Sequence, residues 1–500
     1  MSMQLIVTFF LALPWLNPFA SGPSPAVVPW LVALTATAAL ILSISLRTIP
    51  GQTPSGASFA QGWGPPTALA WLLAGLISSL IGLLQYFGAT AALGAWVSHA
   101  APGEALANLR QRNQFASLTN IALAALVWFA SQRAAAGPRQ WLMLLGAGLL
   151  AAGNAASSSR AGLLELVLLC ALAVVWGAWR QPRALRLLLT AVVAYVLAVL
   201  LLPRLLGFDP AAHGMLARLR GGELVCASRL TLWSNVLNLI GQKPWLGWGW
   251  GELDYAHYAT LYAGPRFCDI LDNAHNLPLH LAVELGVPVA LVICSVGLWW
   301  VIRRRPWRET DAVRQMAWSV LAVIMLHSLL EYPLWYGPFQ IAFGLCVGFL
   351  WRAGDELPEP VATPKARVLS GLLAAVLMAC CAYAGWDYHR VSQIYRAPQD
   401  RDAAYRDGTL SKIHDSWLFR NQVDFAELSL TPLTRDNAQW TFNTATALLH
   451  YSPEPSVIEK VIESAVMLGL DDEALAHLAR YRAAFPKEYA RWAAANPRLP

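Results

Sequence analysis

Charge is what this sequence of 500 residues has least of: Asp, Glu, Lys and Arg together make up 13% of it, about half the share of a soluble globular chain. That scarcity excludes an ordinary solvated surface. CxxC pairs and clustered His and Cys ligands are also missing, so no metal site is expected. The first apolar run lacks the basic flank of a cleavable signal peptide, and Pro14 and Pro18 lead into a second apolar run rather than a mature domain, so it is read as a retained span. A net charge of +6 is accounted for by loops between spans and gives no ground for a nucleic-acid role.

Apolar residues are abundant: 56% of the chain is hydrophobic and the mean hydropathy is +0.44. A helix needs about 20 apolar residues to cross a hydrocarbon core of roughly 30 Å. Windows of that kind lie near 3–16, 27–46, 67–86, 115–132, 140–155, 161–179, 187–206, 277–301, 313–330, 339–352 and 368–386. The expected fold class is therefore all-α, a polytopic transmembrane helical protein of about eleven spans.

Short cytoplasmic loops carry the Lys and Arg excess. With a cytoplasmic N-terminus, four clusters all fall inside: Arg133 with Arg139; Arg180, Arg183 and Arg186; Arg303, Arg304, Arg305 and Arg308; Arg352, Lys365 and Arg367. Arg110 and Arg112 fall outside, in the loop 87–114, either as harmless exceptions or because they have work there. Four segments result: an N-terminal bundle, 1–206; a large outer loop, 207–275; a C-terminal bundle, 276–386; and a tail, 387–500. In a bacterial inner membrane the loop and the tail are periplasmic.

After Trp386 the apolar runs stop, and VIEKVIESAVMLGLDDEALAHLARYRAAFP (457–486) sets apolar and charged residues at helical spacing. It predicts paired amphipathic helices resembling tetratricopeptide units, without a second clean copy. The tail is either a solvated packing module or a platform for a protein partner. Of seven cysteines, Cys170, Cys294, Cys346, Cys380 and Cys381 lie in expected spans. Cys226 and Cys268 lie in the outer loop, where an oxidising compartment favours a disulfide over two free thiols.

Polar chemistry concentrates between Cys226 and Gly286, in SRLTLW, KPWLGWGWGELDY and DNAHNLPLHLAVELG. Arg229 precedes Trp233 by one helical turn, so the indole can pack on its guanidinium. Arg160 closes SSSR where a span begins, and the serines leave N–H groups at a helix start that suit an anion. Two such arginines would bind a pyrophosphate through bidentate contacts that lysine cannot reproduce. Each has a plainer alternative: headgroup snorkelling for Arg160, and pairing with Glu252, Asp254 or Asp272 for Arg229. His275 follows Asp272 and Asn273 as the chain re-enters the membrane. An imidazole accepts a hydroxyl proton at physiological pH, and a nearby carboxylate fixes its tautomer; the alternative is a structural histidine, as His280 is read. Trp245, Trp248 and Trp250 alternate with glycines, an arrangement that suits either an interfacial belt or the faces of sugars.

The order of an SSSR arginine, a large outer loop with SRLTLW and PWLGWGWG, a DNAHNLPLHLAVELG re-entry and HSLLEYPLWYGPF resembles the O-antigen ligase and polymerase superfamily. The LALPWLNP start, EYPLWY and the helical tail look most like its bacterial O-linked oligosaccharyltransferase branch, the pilin glycosylation ligases. The resemblance implies an inner-membrane enzyme that moves a glycan from an undecaprenyl-pyrophosphate donor to a Ser or Thr hydroxyl of a pilin-like acceptor protein in the periplasm. No metal or nucleotide cofactor is implied. His275 matches the general base, and Arg160 and Arg229 match the arginines on the pyrophosphate. Arg112, Arg266, Trp248, Trp250, Asn276, Glu331 and Tyr332 are further candidates for substrate contact. Within the superfamily the acceptor is alternatively lipid A core or a second lipid-linked glycan. Outside it stands a transporter of lipid-linked glycan, whose polar signals would gather in midplane repeats rather than at one face.

Overall fold

The computed structural model describes residues 2–20, 22–46, 59–132, 138–222, 224–351 and 363–496; Arg133 and Arg352 lie outside the described residues. Regular structure among them is helical throughout. In chain order the helices are α1 Met3–Leu16, α2 Val27–Leu46, α3 Phe59–Tyr86, α4 Arg112–Gln132, α5 Pro138–Ser157, α6 Arg160–Val175, α7 Pro182–Leu205, α8 Gly214–Arg220, α9 Arg229–Gln242, α10 Leu253–Ala259 and α11 Leu277–Leu285. They continue as α12 Val287–Arg304, α13 Ala312–Ser328, α14 Gly337–Trp351 and α15 Pro364–Ser392, then the tail helices α16 Thr409–Ile413, α17 Arg420–Leu430, α18 Ala438–Leu448, α19 Pro455–Leu468, α20 Asp471–Ala484 and α21 Pro486–Ala495.

Six segments among the described residues are long and apolar enough to cross a membrane: Val27–Leu46, Gly62–Tyr86, Arg112–Gln132, Pro182–Leu205, Val287–Arg308 and Pro364–Tyr395. Met3–Leu16 and Gly337–Trp351 are shorter and also apolar. The chain is a polytopic helical membrane protein. The expected span 277–301 is corrected: it is two helices, α11 and α12, broken at Gly286, whose φ of +87° no L side chain adopts easily. A Cβ at Gly286 would also overlap the Trp245 carbonyl. The apolar run continued through this point, but the backbone does not.

The chain forms two compact bodies, Met1–Gly222 with Val301–Tyr383, and Glu223–Trp300 with Ala384–Pro500. In the first, α4 is buried over most of its length and packs against α3, α5, α6 and α13. Small residues permit that approach: a Cβ added at Gly75 would overlap Ala122, and one at Gly162 would overlap Ala116. Apolar packing alone distinguishes poorly between neighbouring helix and lipid, so close contact and polar bonds across the interface decide which faces meet. By contrast α12 is 6% buried over its apolar window and turns Leu291, Val292, Val296 and Leu298 outward.

In the second body, Leu232, Val236 and Leu239 of α9 pack with Leu253, Ala256, Leu271, Ala274 and Val283. A neighbouring core joins Tyr258 of α10 to tail residues Leu428, Leu449, Val461 and Tyr481. The Tyr258 hydroxyl lies 2.7 Å from His477 Nδ1. Loop and tail therefore share one core. Helices α17 to α21 each pack on the next.

Candidate active site

The second body builds the turn that carries His275 on α9. Cys226 and Cys268 are disulfide-bonded, with Cα atoms 5.2 Å apart, and the Cys268 N–H donates to the Cys226 carbonyl at 3.2 Å. Asn235 of α9 donates to the Pro265 carbonyl (2.9 Å) and accepts the Phe267 N–H (2.8 Å). Two residues earlier, the Trp233 indole donates to the Ala274 carbonyl (3.1 Å). His275 follows at φ +49°, a left-handed conformation that costs a non-glycine residue about 1 kcal/mol or more. Its N–H donates to Asn273 Oδ1 (2.8 Å), and Asn276 caps α11 by accepting the Leu279 N–H (3.2 Å). Burial raises the Asp272 carboxyl above its usual range, and the His275 charge pulls it back. Burial, reinforced by Glu252 and Asp272, pushes Asp254 up to about 7.

The GWGWG run docks on the end of α11. Trp248 and Gly249 donate their N–H groups to the carbonyls of Val283 (2.8 Å) and Glu284 (3.1 Å), and Val287 donates to the Pro244 carbonyl (2.8 Å). The Gly251 N–H donates to the buried Glu284 carboxylate at 3.0 Å. The bonds to Val283 and Glu284 satisfy carbonyls that the end of α11 leaves without partners. A Cβ at Gly247, where φ is +69°, would overlap the Glu284 carbonyl. The glycines thus serve backbone docking. The Trp248 indole donates to the Leu239 carbonyl (3.0 Å) and its ring lies 4.0 Å from the Lys243 ammonium. Arg266 donates to the carbonyls of Thr260 (2.9 Å) and His257 (2.8 Å). Trp250 is 66% exposed, and Trp245 75%.

The two arginines hold the same station in different helices. Arg160 opens α6 after Ser159, whose hydroxyl accepts the Gly162 N–H at 3.0 Å. Arg229 opens α9 after Ser228, whose hydroxyl accepts the Thr231 N–H at 3.2 Å. A cation in the first turn opposes the helix dipole, and an anion there gains from both the dipole and the guanidinium.

Around Arg160 the first body gathers several candidates. Ser159 donates to Asn113 Oδ1 (2.6 Å), and Asn113 donates to Glu331 (3.1 Å). Arg218 donates to the Ser158 carbonyl at 3.0 Å. Arg112, the first residue of α4, pairs with Glu104 at 3.4 Å in a largely solvated contact of small energetic weight. Arg110 donates its Nε to the Pro18 carbonyl at 3.0 Å. Tyr332 stacks on Tyr336, with ring centroids 6.1 Å apart. Asn113 escaped notice in the sequence although it adjoins Arg112 in QRNQFA; only folding sets it beside Ser159 and Glu331.

Three family models match the chain in succession: "Protein glycosylation ligase" over residues 105–130, "O-Antigen ligase" over 145–294 and "Virulence factor membrane-bound polymerase, C-terminal" over 315–500. Arg160, Arg229 and His275 fall in the second segment, Glu331 and Tyr332 in the third. The General O-oligosaccharyltransferase of Acinetobacter baylyi is 23% identical over 239 residues, covering 44% of this chain and 39% of that protein. The ComP-specific O-oligosaccharyltransferase of the same organism is 26% identical over 250 residues, covering 50% of this chain and 44% of that protein. The chain thus spans less than half the length of these curated relatives. No solved structure matches it. On a polytopic helical scaffold the chain thus carries an O-antigen ligase segment flanked by glycosylation-ligase and polymerase segments, and it is distantly similar to the Acinetobacter O-oligosaccharyltransferases.

Proposed function

We propose that this protein is a membrane glycosyltransferase that moves a glycan en bloc from undecaprenyl pyrophosphate to a Ser or Thr hydroxyl of a periplasmic, pilin-like protein. The observation that carries this is the His275 turn. Its left-handed backbone is held by Asn273 and by the Trp233 bond to Ala274, and backbone strain of this kind gathers where a side chain must be presented in one geometry.

In this mechanism the imidazole of His275 takes the proton of the acceptor hydroxyl as that oxygen attacks the anomeric carbon. The bond from this carbon to the pyrophosphate oxygen breaks in the same displacement, and configuration inverts. Arg160 and Arg229 take the charge of the departing pyrophosphate, work that needs no metal or nucleotide. Electrostatic stabilisation and proximity each supply several kcal/mol in a poorly hydrated site. The Asp272 carboxylate favours the imidazolium as it forms. Asn276, Trp250, Arg112, Glu331 and Tyr332 are assigned to contacts with the glycan, lipid or acceptor.

The proposed topology has eleven spans, α1 to α7 and α12 to α15, with the N-terminus in the cytoplasm and the outer loop and tail in the periplasm. The Cys226–Cys268 disulfide supports that side, since such bonds persist in oxidising compartments.

The test is expression with a lipid-linked glycan donor and a pilin-like acceptor, comparing wild type and His275→Ala by acceptor mass. A mass shift absent from the variant supports protein O-glycosylation. Unmodified protein with altered lipopolysaccharide or glycan chain length replaces it with the ligase or polymerase function, and lipid-linked glycan moved without transfer replaces it with a transporter.

A further inference from the structure

The first body buries an ionisable pair that the proposed chemistry does not use. Glu165 of α6 and His327 of α13 are 0% and 1% exposed, with the Ser117 hydroxyl of α4 between them. Ser117 donates to Glu165 Oε1 at 2.6 Å and lies 2.7 Å from His327 Nδ1. A hydroxyl has one proton, so with that proton on Glu165 the His327 ring must donate from Nδ1. Asn120 of α4 donates to the second carboxylate oxygen, Glu165 Oε2, at 3.0 Å and to the Gly162 carbonyl at 3.0 Å. Gly162 is two residues from Arg160, and its own N–H is held by the Ser159 cap.

From Ser159 the bonds run on through Asn113 to Glu331. The Glu331 N–H then donates to the carbonyl of His327 at 2.8 Å. The path closes into a ring through α4, α6 and the end of α13, and Arg160 sits in it between Ser159 and Gly162. Carboxylate and imidazole are costly at this depth; apolar side chains would join the three helices without that cost. Directional bonds add orientation: a hydrogen-bonded polar network sets the rotation and register of α6 against α4 and α13.

We propose that Glu165, acting with Ser117, His327 and Asn113, is a positioning residue that fixes the Arg160 guanidinium for the pyrophosphate; this rests on the role given to Arg160 above. These side chains work through the first turn of α6 rather than through contact with the donor.

The test is a double-mutant cycle on glycan transfer in proteoliposomes, with KM measured separately for donor and acceptor. Glu165→Ala is expected to raise the donor KM about fivefold or more and to leave the acceptor KM unchanged. Glu165→Gln keeps an acceptor for Asn120 and turns a donor towards Ser117, whose own proton then goes to His327 Nδ1, and is expected to stay within about twofold of wild type. In an Arg160→Ala background, Glu165→Ala should add less than about twofold, since coupled residues do not contribute independently. Multiplicative losses, or a lower kcat with both KM values unchanged, would overturn the proposal.

Should Glu165→Ala not accumulate, Asn113→Ala opens the ring at its less buried edge and carries the same expectations. If Arg160→Ala transfers normally, the pyrophosphate role fails, and the ring is then judged by hydrogen exchange. Asn113→Ala should speed exchange at residues 159–163 about tenfold with α1 unchanged; unaltered exchange there removes the positioning role itself.

Discussion

Arg160 and Arg229 occupy the same place in two different helices, each the first residue after a serine cap whose hydroxyl accepts the N–H three residues on. Placing a cation there weakens a helix by a few tenths of a kcal/mol, so helix stability does not account for either choice. In the proposed function, an anion at those N–H groups accounts for both. Arg229→Lys keeps the charge and loses the planar fork. It is expected to lower transfer about 10- to 100-fold with unchanged membrane levels, measured by acceptor mass over time; wild-type rates in the lysine variant would remove the bidentate role.

The turn that presents His275 depends on an indole. His275→Ala is expected to cut transfer by about 100-fold or more, as loss of a general base does, without lowering the amount of protein. Trp233→Phe keeps the ring volume but removes the donor to Ala274, leaving a carbonyl unpaired at a cost of about 1–2 kcal/mol. Its expected result is roughly tenfold slower transfer by folded enzyme. A Phe variant as fast as wild type would show that the turn holds without this bond.

Gly247 faces the Glu284 carbonyl with no room for a Cβ and stands at φ +69°. Gly247→Ala is therefore expected to undock the Trp-rich run from α11, seen as rapid proteolysis between 240 and 290 and a several-fold lower yield. Gly222→Ala, where a Cβ meets nothing within 4 Å, should be tolerated.

The Cys226–Cys268 bridge spans 42 residues, for which chain entropy gives about 4 kcal/mol. Cys268→Ser should lower the melting temperature and raise protease sensitivity of the outer loop, while transfer per folded molecule at low temperature persists. Complete loss of transfer in folded Cys268→Ser protein would assign the bridge more than a structural part.

Burial holds His477 down at about 4 and His257 at about 3. An unfolded chain protonates histidine near 6.5, so between about 6.5 and 4 the unfolded state binds protons that the folded state refuses. Their contribution is complete above that window and is lost as pH falls through it, by up to about 1.4 kcal/mol per histidine per pH unit. Asp254, held up at about 7, acts with opposite sign: its folded state keeps a proton, so acidification from about 7 towards 4 adds stability. Melting followed by tryptophan fluorescence should drop from pH 6.5 to 4.5. His477→Gln is expected to flatten that drop and Asp254→Asn to steepen it; identical slopes in all three proteins would refute the assignment.

Much of this architecture was legible in one dimension because its causes are local. Hydrocarbon thickness sets the length of an apolar run, so α2, α4 and α7 stand close to where hydropathy puts them. The serines before Arg160 and Arg229 announce helix starts through a bond that reaches only three residues. Cys226 and Cys268 were singled out by the compartment that topology gives their loop. The short motifs around Arg229, His275 and Glu331 carried the family resemblance before any fold was known.

What only the tertiary structure decided involves partners far apart in the chain. Asn113 meets Glu331 across 218 residues, and Tyr258 meets His477 across 219; no periodicity encodes either pair. The break at Gly286 lies within an apolar run, and only the folded chain brings the Trp245 carbonyl against that glycine. Trp248 and Arg266 reach the carbonyls of Leu239, Thr260 and His257, partners that no spacing in the sequence announces. Glu165 and His327 stood as isolated polar residues in apolar helices, and Ser117 joined them only once three helices had packed. Sequence alone determined which segments form helices and which chemical groups the protein has, because those follow from properties of neighbouring residues. Folding decided which groups meet, because directional hydrogen bonds and close backbone contacts depend on residues brought together from distant parts of the chain.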